Sequence, residues 1–112
     1  MSYITEIIIT GDFWEEDQDN IKSHLKKFTK DDIEFNWIDG KSVGGNRIFT
    51  TDLLLGSFNY MDYKLFIKTI NGLESILDIY DYLDMQVMIK NDGDERWYVH
   101  HASELELKHF LR

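Results

Sequence analysis

The chain has 112 residues, of which 21 are Asp or Glu and 12 are Lys or Arg, with no cysteine, no proline and a formal charge of −9. This length fits one domain. The missing cysteines exclude disulfides, thiolate metal sites and a cysteine nucleophile, and the charge opposes binding to phosphate backbones.

Hydrophobic residues make up 43% and aromatics 14% of the chain, enough for an ordered core despite 29% charge. No run of about 18 apolar residues is present for a membrane span, and MSYITEIIITGDF lacks the basic start and long apolar core of a signal peptide. The sequence therefore reads as a soluble, unexported protein of the cytoplasm with no membrane association.

Residues 3–10, YITEIIIT, are β-branched and nearly continuously apolar, the pattern of a strand buried on both faces. Ile21, Leu25 and Phe28 then recur at i, i+4 and i+7. This predicts an amphipathic helix of about three turns, with Asp17 or Asp19 capping its first N–H groups and Lys26, Lys27 and Lys30 at its carbonyl end. IEFNWI (33–38) alternates strictly, with Ile33, Phe35 and Trp37 on one side, as in a half-buried strand. Across the loop DGKSVGGN (39–46), RIFTTDLLLG supplies a partner strand in a long-looped hairpin.

From Tyr60 to Leu83 the period becomes helical. Phe66, Ile70, Leu73, Leu77 and Tyr80 define a face that Leu65, Ile76, Ile79 and Leu83 widen, and Glu74, Asp78 and Asp81 form an acidic stripe beside it. Asn71-Gly72 is a stop signal that leaves open one helix or two. QVMIK and ERWYVHH flank the turn NDGD (91–94) as a further hairpin. Ser103 to Glu106 fits a capping box, with Ala102 and Leu107 in staple positions, and predicts a short final helix. The order β-α-β-β-α-β-β-α implies a single α+β domain over residues 1–112, mostly antiparallel, with the helices on one face.

None of the familiar chemical motifs is complete. Gly40-Lys41-Ser42 lacks the glycine five positions earlier, where Phe35 stands, and leads into a strand, so it reads as a mobile hairpin loop rather than a phosphate loop. His100 and His101 fall on opposite faces of a strand and cannot chelate one ion together. Asp92, Asp94 and Glu95 miss the register of a calcium loop. Carboxylates are abundant, but nothing selects a catalytic pair. No cofactor and no metal is expected, and the balance is against an enzyme.

The stretch GDFWEEDQDN (11–20) is what remains. It sets Phe13 and Trp14 among Asp12, Glu15, Glu16, Asp17 and Asp19. Capping and the helix dipole account for one or two of these carboxylates. Between residues 12 and 39 there are nine acids, against five Lys and Arg counted to Lys41. One of the two aromatics is expected in the core. The other, if exposed within an acidic rim, has the form of an anchor for a basic cleft.

The strand-Gly-Asp-Phe opening, the helix, the Gly-rich hairpin, the long amphipathic helix and the closing strand pair followed by HHASELELKHFLR resemble small standalone bacterial α+β proteins of unknown function, including some of the immunity-protein type found beside toxins. The stretch from Trp14 to Asp19 is more acidic than that layout calls for. The resemblance implies a role exerted by binding another protein and transfers no catalytic residue.

The expected function is accordingly that of a non-enzymatic acidic protein that neutralises a protein partner with a basic surface, as a toxin's immunity protein or a phage-type inhibitor of a host defence protein does. A variant of this reading is mimicry of nucleic acid, with the carboxylates in rows. Trp14, Glu15, Glu16, Asp17 and Asp19 are the expected contacts, and Glu74, Asp78 and Asp81 form a second patch. The rival is a small enzyme or ligand-binding domain with a site on the sheet face, using Trp37, Trp97, Tyr98 and His100.

Overall fold

The computed structural model describes residues 3–29, 35–46 and 50–111. Its elements are β1 (Ile4–Gly11), α1 (Gln18–Thr29), β2 (Asn36–Ile38), β3 (Asp52–Asn59), α2 (Tyr63–Gly72), α3 (Ile79–Asp84), β4 (Gln86–Asn91) and β5 (Tyr98–His101), with short 3-10 turns between and after them. The five strands form one antiparallel sheet in the order β2-β3-β1-β4-β5. The fold is α+β, as the alternation of periods implies.

The β-branched run of β1 takes the central place, where both edges find backbone partners: Ile9 lies opposite Leu54 of β3 and Val87 of β4. Side chains alternate across a strand. Thr5, Ile7 and Ile9 therefore share a face with Leu54, Val87 and Ile89, and all six are buried. Ile21, Leu25 and Phe28 of α1, Phe66 and Ile70 of α2, and Leu73, Leu77 and Tyr82 join them in one buried core. Edge-to-face contacts of Phe28 with Phe58 and Phe66, at ring separations of 5.1 and 5.2 Å, knit the layers together. Such pairs add about 1 kcal/mol each beyond their burial.

Three expectations require correction, and one open question is answered. β1 is not buried on both faces: Ile4, Ile8 and Thr10 are only half-buried and Glu6 is exposed, because no described helix covers that side. The segment 60–83, left open as one helix or two, is two. It runs as α2, a 3-10 turn at Leu73–Ser75 and then α3, so the helical phase restarts at Asp78, whose carboxylate caps α3 by accepting the Tyr80 N–H at 2.9 Å. The final helix is replaced by 3-10 turns at Ala102–Glu104 and Leu107–His109. The capping box sits at Glu106, whose N–H donates to His109 Nδ1 at 3.0 Å, not at Ser103. Finally, Gly40–Ser42 is an ordered 3-10 turn rather than a mobile loop. Lys30 and residues 31–34 and 47–49 of the predicted elements lie outside the described residues.

Gly72 is the last residue of α2, so the break that Asn71-Gly72 signals falls there, and a packing contact adds to it. The His24 ring of α1 lies so close that a Cβ on Gly72 would stand 2.6 Å from two imidazole atoms. His24 Nε2 donates to the Thr69 carbonyl at 2.7 Å, latching α1 to the last turn of α2. A second buried device holds the C-terminal turns. Asn91 Oδ1 accepts from Thr5 Oγ1 at 3.0 Å, and Asn91 Nδ2 donates to the Phe110 carbonyl at 2.9 Å.

Gly72→Ala should destabilise the fold by about 1–3 kcal/mol in urea unfolding, through overpacking against the His24 ring, and His24→Ala in that background should recover part of the loss. Asn91→Ala should lower stability by about 2–3 kcal/mol, because it orphans the buried Phe110 carbonyl and leaves the Thr5 hydroxyl only its 3.4 Å contact with the Tyr63 hydroxyl.

Candidate functional site

The structure decides between the two aromatics of the acidic stretch. Phe13 turns inward, is buried, and meets Trp37 edge-on at 5.4 Å. Trp14 points outward and is 64% exposed. It is the N-cap position of the 3-10 turn Glu15–Asp17 that leads into α1, and no side chain caps that turn. The expected caps from Asp17 or Asp19 are therefore not made: among the described residues neither carboxylate bonds a backbone N–H. The acids of this turn act on the helix dipole alone, which needs far less charge than is present.

The helix restart after Leu73 has a consequence at the surface. A continuous helix would have buried Ile79, Tyr80 and Leu83 with Leu77. In α3 only Tyr82 turns inward, and Ile79, Tyr80 and Leu83 are 49%, 76% and 47% exposed. Asp81 of the same helix is half-buried in an acidic neighbourhood. Burial raises its pKa, and the charges of Asp78, Asp12 and Asp84 push it the same way, against the opposing influence of the Trp14 indole N–H. Asp81 thus joins the two patches: Trp14 and Asp12 from the start of the chain meet Asp78 and Asp84 of α3.

Other predicted residues are not part of this junction. Glu74 acts instead on Tyr82, whose hydroxyl pKa is raised by burial and then by the Glu74 charge. Glu16 and Asp19 are exposed along the start of α1, and Asp17 is half-buried there. Glu15 lines a cleft of about 330 Å³ with Asp12, Asp39, Lys41 and Asp52.

Asp52 was missed, although the signal was present: it stands two positions before Leu54 on the buried face of β3. It is only 5% exposed and accepts the Gly40 N–H at 2.8 Å. Burial raises its pKa, aided by Asp39 and Asp12. The Gly40 N–H and the Trp37 indole act in the opposite direction, although Trp37 Nε1 makes no hydrogen bond of adequate geometry. Asp39 in turn accepts the Lys41 N–H at 2.9 Å. The backbone donors that a phosphate would need in Gly40-Lys41-Ser42 are thus taken, those of Gly40 and Lys41 by carboxylates and that of Ser42 by the Asp39 carbonyl.

The rival site does not assemble. Trp37 on β2 and His100 on β5 share the buried face at opposite edges of the sheet, and Tyr98 lies beside Ile89 near the His100 edge. Trp97 lines an open depression on the opposite face together with Ile8, Leu55 and Ser57. Among the described residues no group of three or more His, Asp or Glu is placed to hold a metal ion, and no helix is long and apolar enough to cross a membrane. No protein-family model matches the chain, and neither a curated protein nor a solved structure similar to it is found.

Asp52→Asn and Asp81→Asn test the electrostatics. A carboxylate whose folded pKa lies above its unfolded value destabilises the fold when ionised, and that penalty fades as pH falls through the folded pKa. Each variant should melt above the wild type at pH 7, with the difference shrinking toward about pH 4. Asp52→Ala, which also orphans the Gly40 N–H, should melt lower at both pH values.

Proposed function

We propose that this protein works by binding rather than by catalysis: it seats an acidic face centred on Trp14 against the basic surface of another protein in the cytoplasm and so blocks it. An immunity protein paired with a toxin and a phage-type antagonist of a host defence protein are the two forms of that role.

The observation that carries the proposal is the combination at one place of an exposed indole, the exposed apolar side chains of α3, and carboxylates without cationic partners. Among the described residues, no ion pair neutralises Asp12, Glu15, Glu16, Asp17, Asp19, Glu74, Asp78, Asp81 or Asp84. An exposed Trp has a large apolar area and few rotamers to lose, which makes it an effective anchor. Surrounding carboxylates speed encounter with a basic patch and penalise acidic competitors. Crowding them together is unfavourable in the free protein: burial raises the pKa of Asp81 first, and the charges of Asp78, Asp12 and Asp84 add to it. A guanidinium or ammonium from a partner would relieve that repulsion on docking.

Capture of a partner from the source cell should therefore be strong at low salt and weak at high salt. Trp14→Ala should weaken binding by about 2–4 kcal/mol, with far-ultraviolet circular dichroism unchanged. Asp78→Lys with Asp81→Lys should abolish it, and duplex DNA should compete if the carboxylates stand in for phosphates. A partner whose affinity is indifferent to both changes and to salt would refute the proposal.

A further inference from the structure

The sheet face that no described helix covers has a character unlike the rest of the molecule. Across the middle of the sheet, Leu55, Ile8, Met88 and Val99 occupy one rung of the β3-β1-β4-β5 ladder, and Val99 is 51% exposed. Ile38 and Leu53 continue the apolar surface on the next rung, and Trp97 lines an open depression with Ile8 and Leu55 at the other side. In a chain of charge −9, the charged residues that the described strands place on this face are Glu6 and Lys90, one of each sign. They lie directly opposite one another on β1 and β4, yet among the described residues they form no ion pair with each other or with any other group.

We infer that this open face is a dimer interface and that its occupant is the same face of a second copy of this chain. The charge pattern selects that occupant. Consider a two-fold axis in the interface plane, parallel to the strands and midway between β1 and β4. Rotation about it lays β4 of one copy over β1 of the other. Glu6 of each protomer then faces Lys90 of its partner, Ile8 faces Met88, Thr10 faces Gln86, and Leu55 faces Val99. These four facings are complementary, as an isologous interface requires, and the Glu6–Lys90 pair is made twice. The chain as a whole is acidic and would repel a like copy, whereas the described strands place one charge of each sign on this face.

The extent suits a weak dimer. The four strands that overlap about this axis, β3-β1-β4-β5, lie about 4.8 Å apart, and a central strand rising about 3.3 Å per residue gives an overlap of roughly 15 by 26 Å, below the ~800 Å² per partner of standard-size complexes. Sheets packed this way cross at about −30° with their inner side chains interdigitated. The arrangement also accounts for β1, whose near-continuous apolar run suits burial on both faces and receives it on one face within a single chain. The acidic face around Trp14 lies on the helix side and stays open in the dimer.

Sedimentation equilibrium across concentrations up to ~100 μM should give twice the mass of one chain. Glu6→Lys and Lys90→Glu should each weaken the dimer by roughly tenfold or more, because each places like charges opposite one another twice. The double exchange, Glu6→Lys with Lys90→Glu, should restore the dimer to within about threefold of wild type, which separates an interface effect from a folding defect. Met88→Asp should give a folded monomer, and Trp14→Ala should leave the mass unchanged. A wild type that stays monomeric would overturn the inference. A dimer unaffected by the single charge reversals and by Met88→Asp would do the same. None of these outcomes depends on the heterologous partner of the acidic face.

Discussion

Phe13 lies over Gly11, where a Cβ would stand 2.4 Å from the nearest ring carbon. That contact governs what the molecule presents to solvent. Any residue larger than glycine at the end of β1 would lift the Phe13 ring off the sheet and out of its edge-on contact with Trp37. With Phe13 seated, the chain leaves the strand in a fixed direction, and the next side chain has nowhere to go but outward. Trp14 is exposed because Phe13 is buried. The same exit sets Asp12 beside α3 and starts the 3-10 turn that winds into α1. A packing requirement of one ring thus places an aromatic group and two acidic segments, far apart in the chain, on one surface.

The outward turn of α3 completes that surface. Helices usually bury a broad apolar stripe, and the spacing from Tyr60 to Leu83 supports one unbroken stripe. The chain instead departs from α geometry at Leu73, and Asp78 restarts it with a fresh cap. The phase slips, and three apolar side chains that continuity would have hidden come to the exterior. Ile79, Tyr80 and Leu83 are consequently part of the candidate interface. The carboxylates of Asp81 and Asp84 keep that apolar surface hydrated while it is unoccupied.

Much of the architecture was legible in the residue pattern, because a period of two or of 3.6 is a direct readout of which side of an element meets the core. The strands, the two hairpins, α1 and the helical character of residues 63–84 followed from it. The features that were not legible depend on tertiary distance. Asn71-Gly72 marked the end of α2, but not the His24 ring packed on Gly72, which lies 48 positions earlier. The C-terminal segment looked helical from Ser103 and Glu106, but Ala102 is drawn into the core and Asn91 ties the Phe110 carbonyl to the sheet, so only single 3-10 turns fit between those anchors. Of the candidate site, Trp14 and the acids around it could be named, but not the junction at Asp81. Residues 12, 14 and 81 share no local pattern. Trp97 was assigned to the wrong face because it precedes β5, where alternation no longer fixes the direction of a side chain.

The position of β1 has a consequence for how the molecule comes into being. The first strand in chain order is the middle of the sheet, and its neighbour β4 arrives some 80 residues later, so that Thr5 and Asn91 meet across a separation of 86 positions. The topology is rich in non-local pairings, which places spontaneous acquisition of the native state toward the slow end for small domains. On a ribosome adding about 5–20 residues per second, the isoleucines of β1 emerge several seconds before the segment that flanks them on one side. During that interval one of the most apolar parts of the nascent chain has no β4 to pair with.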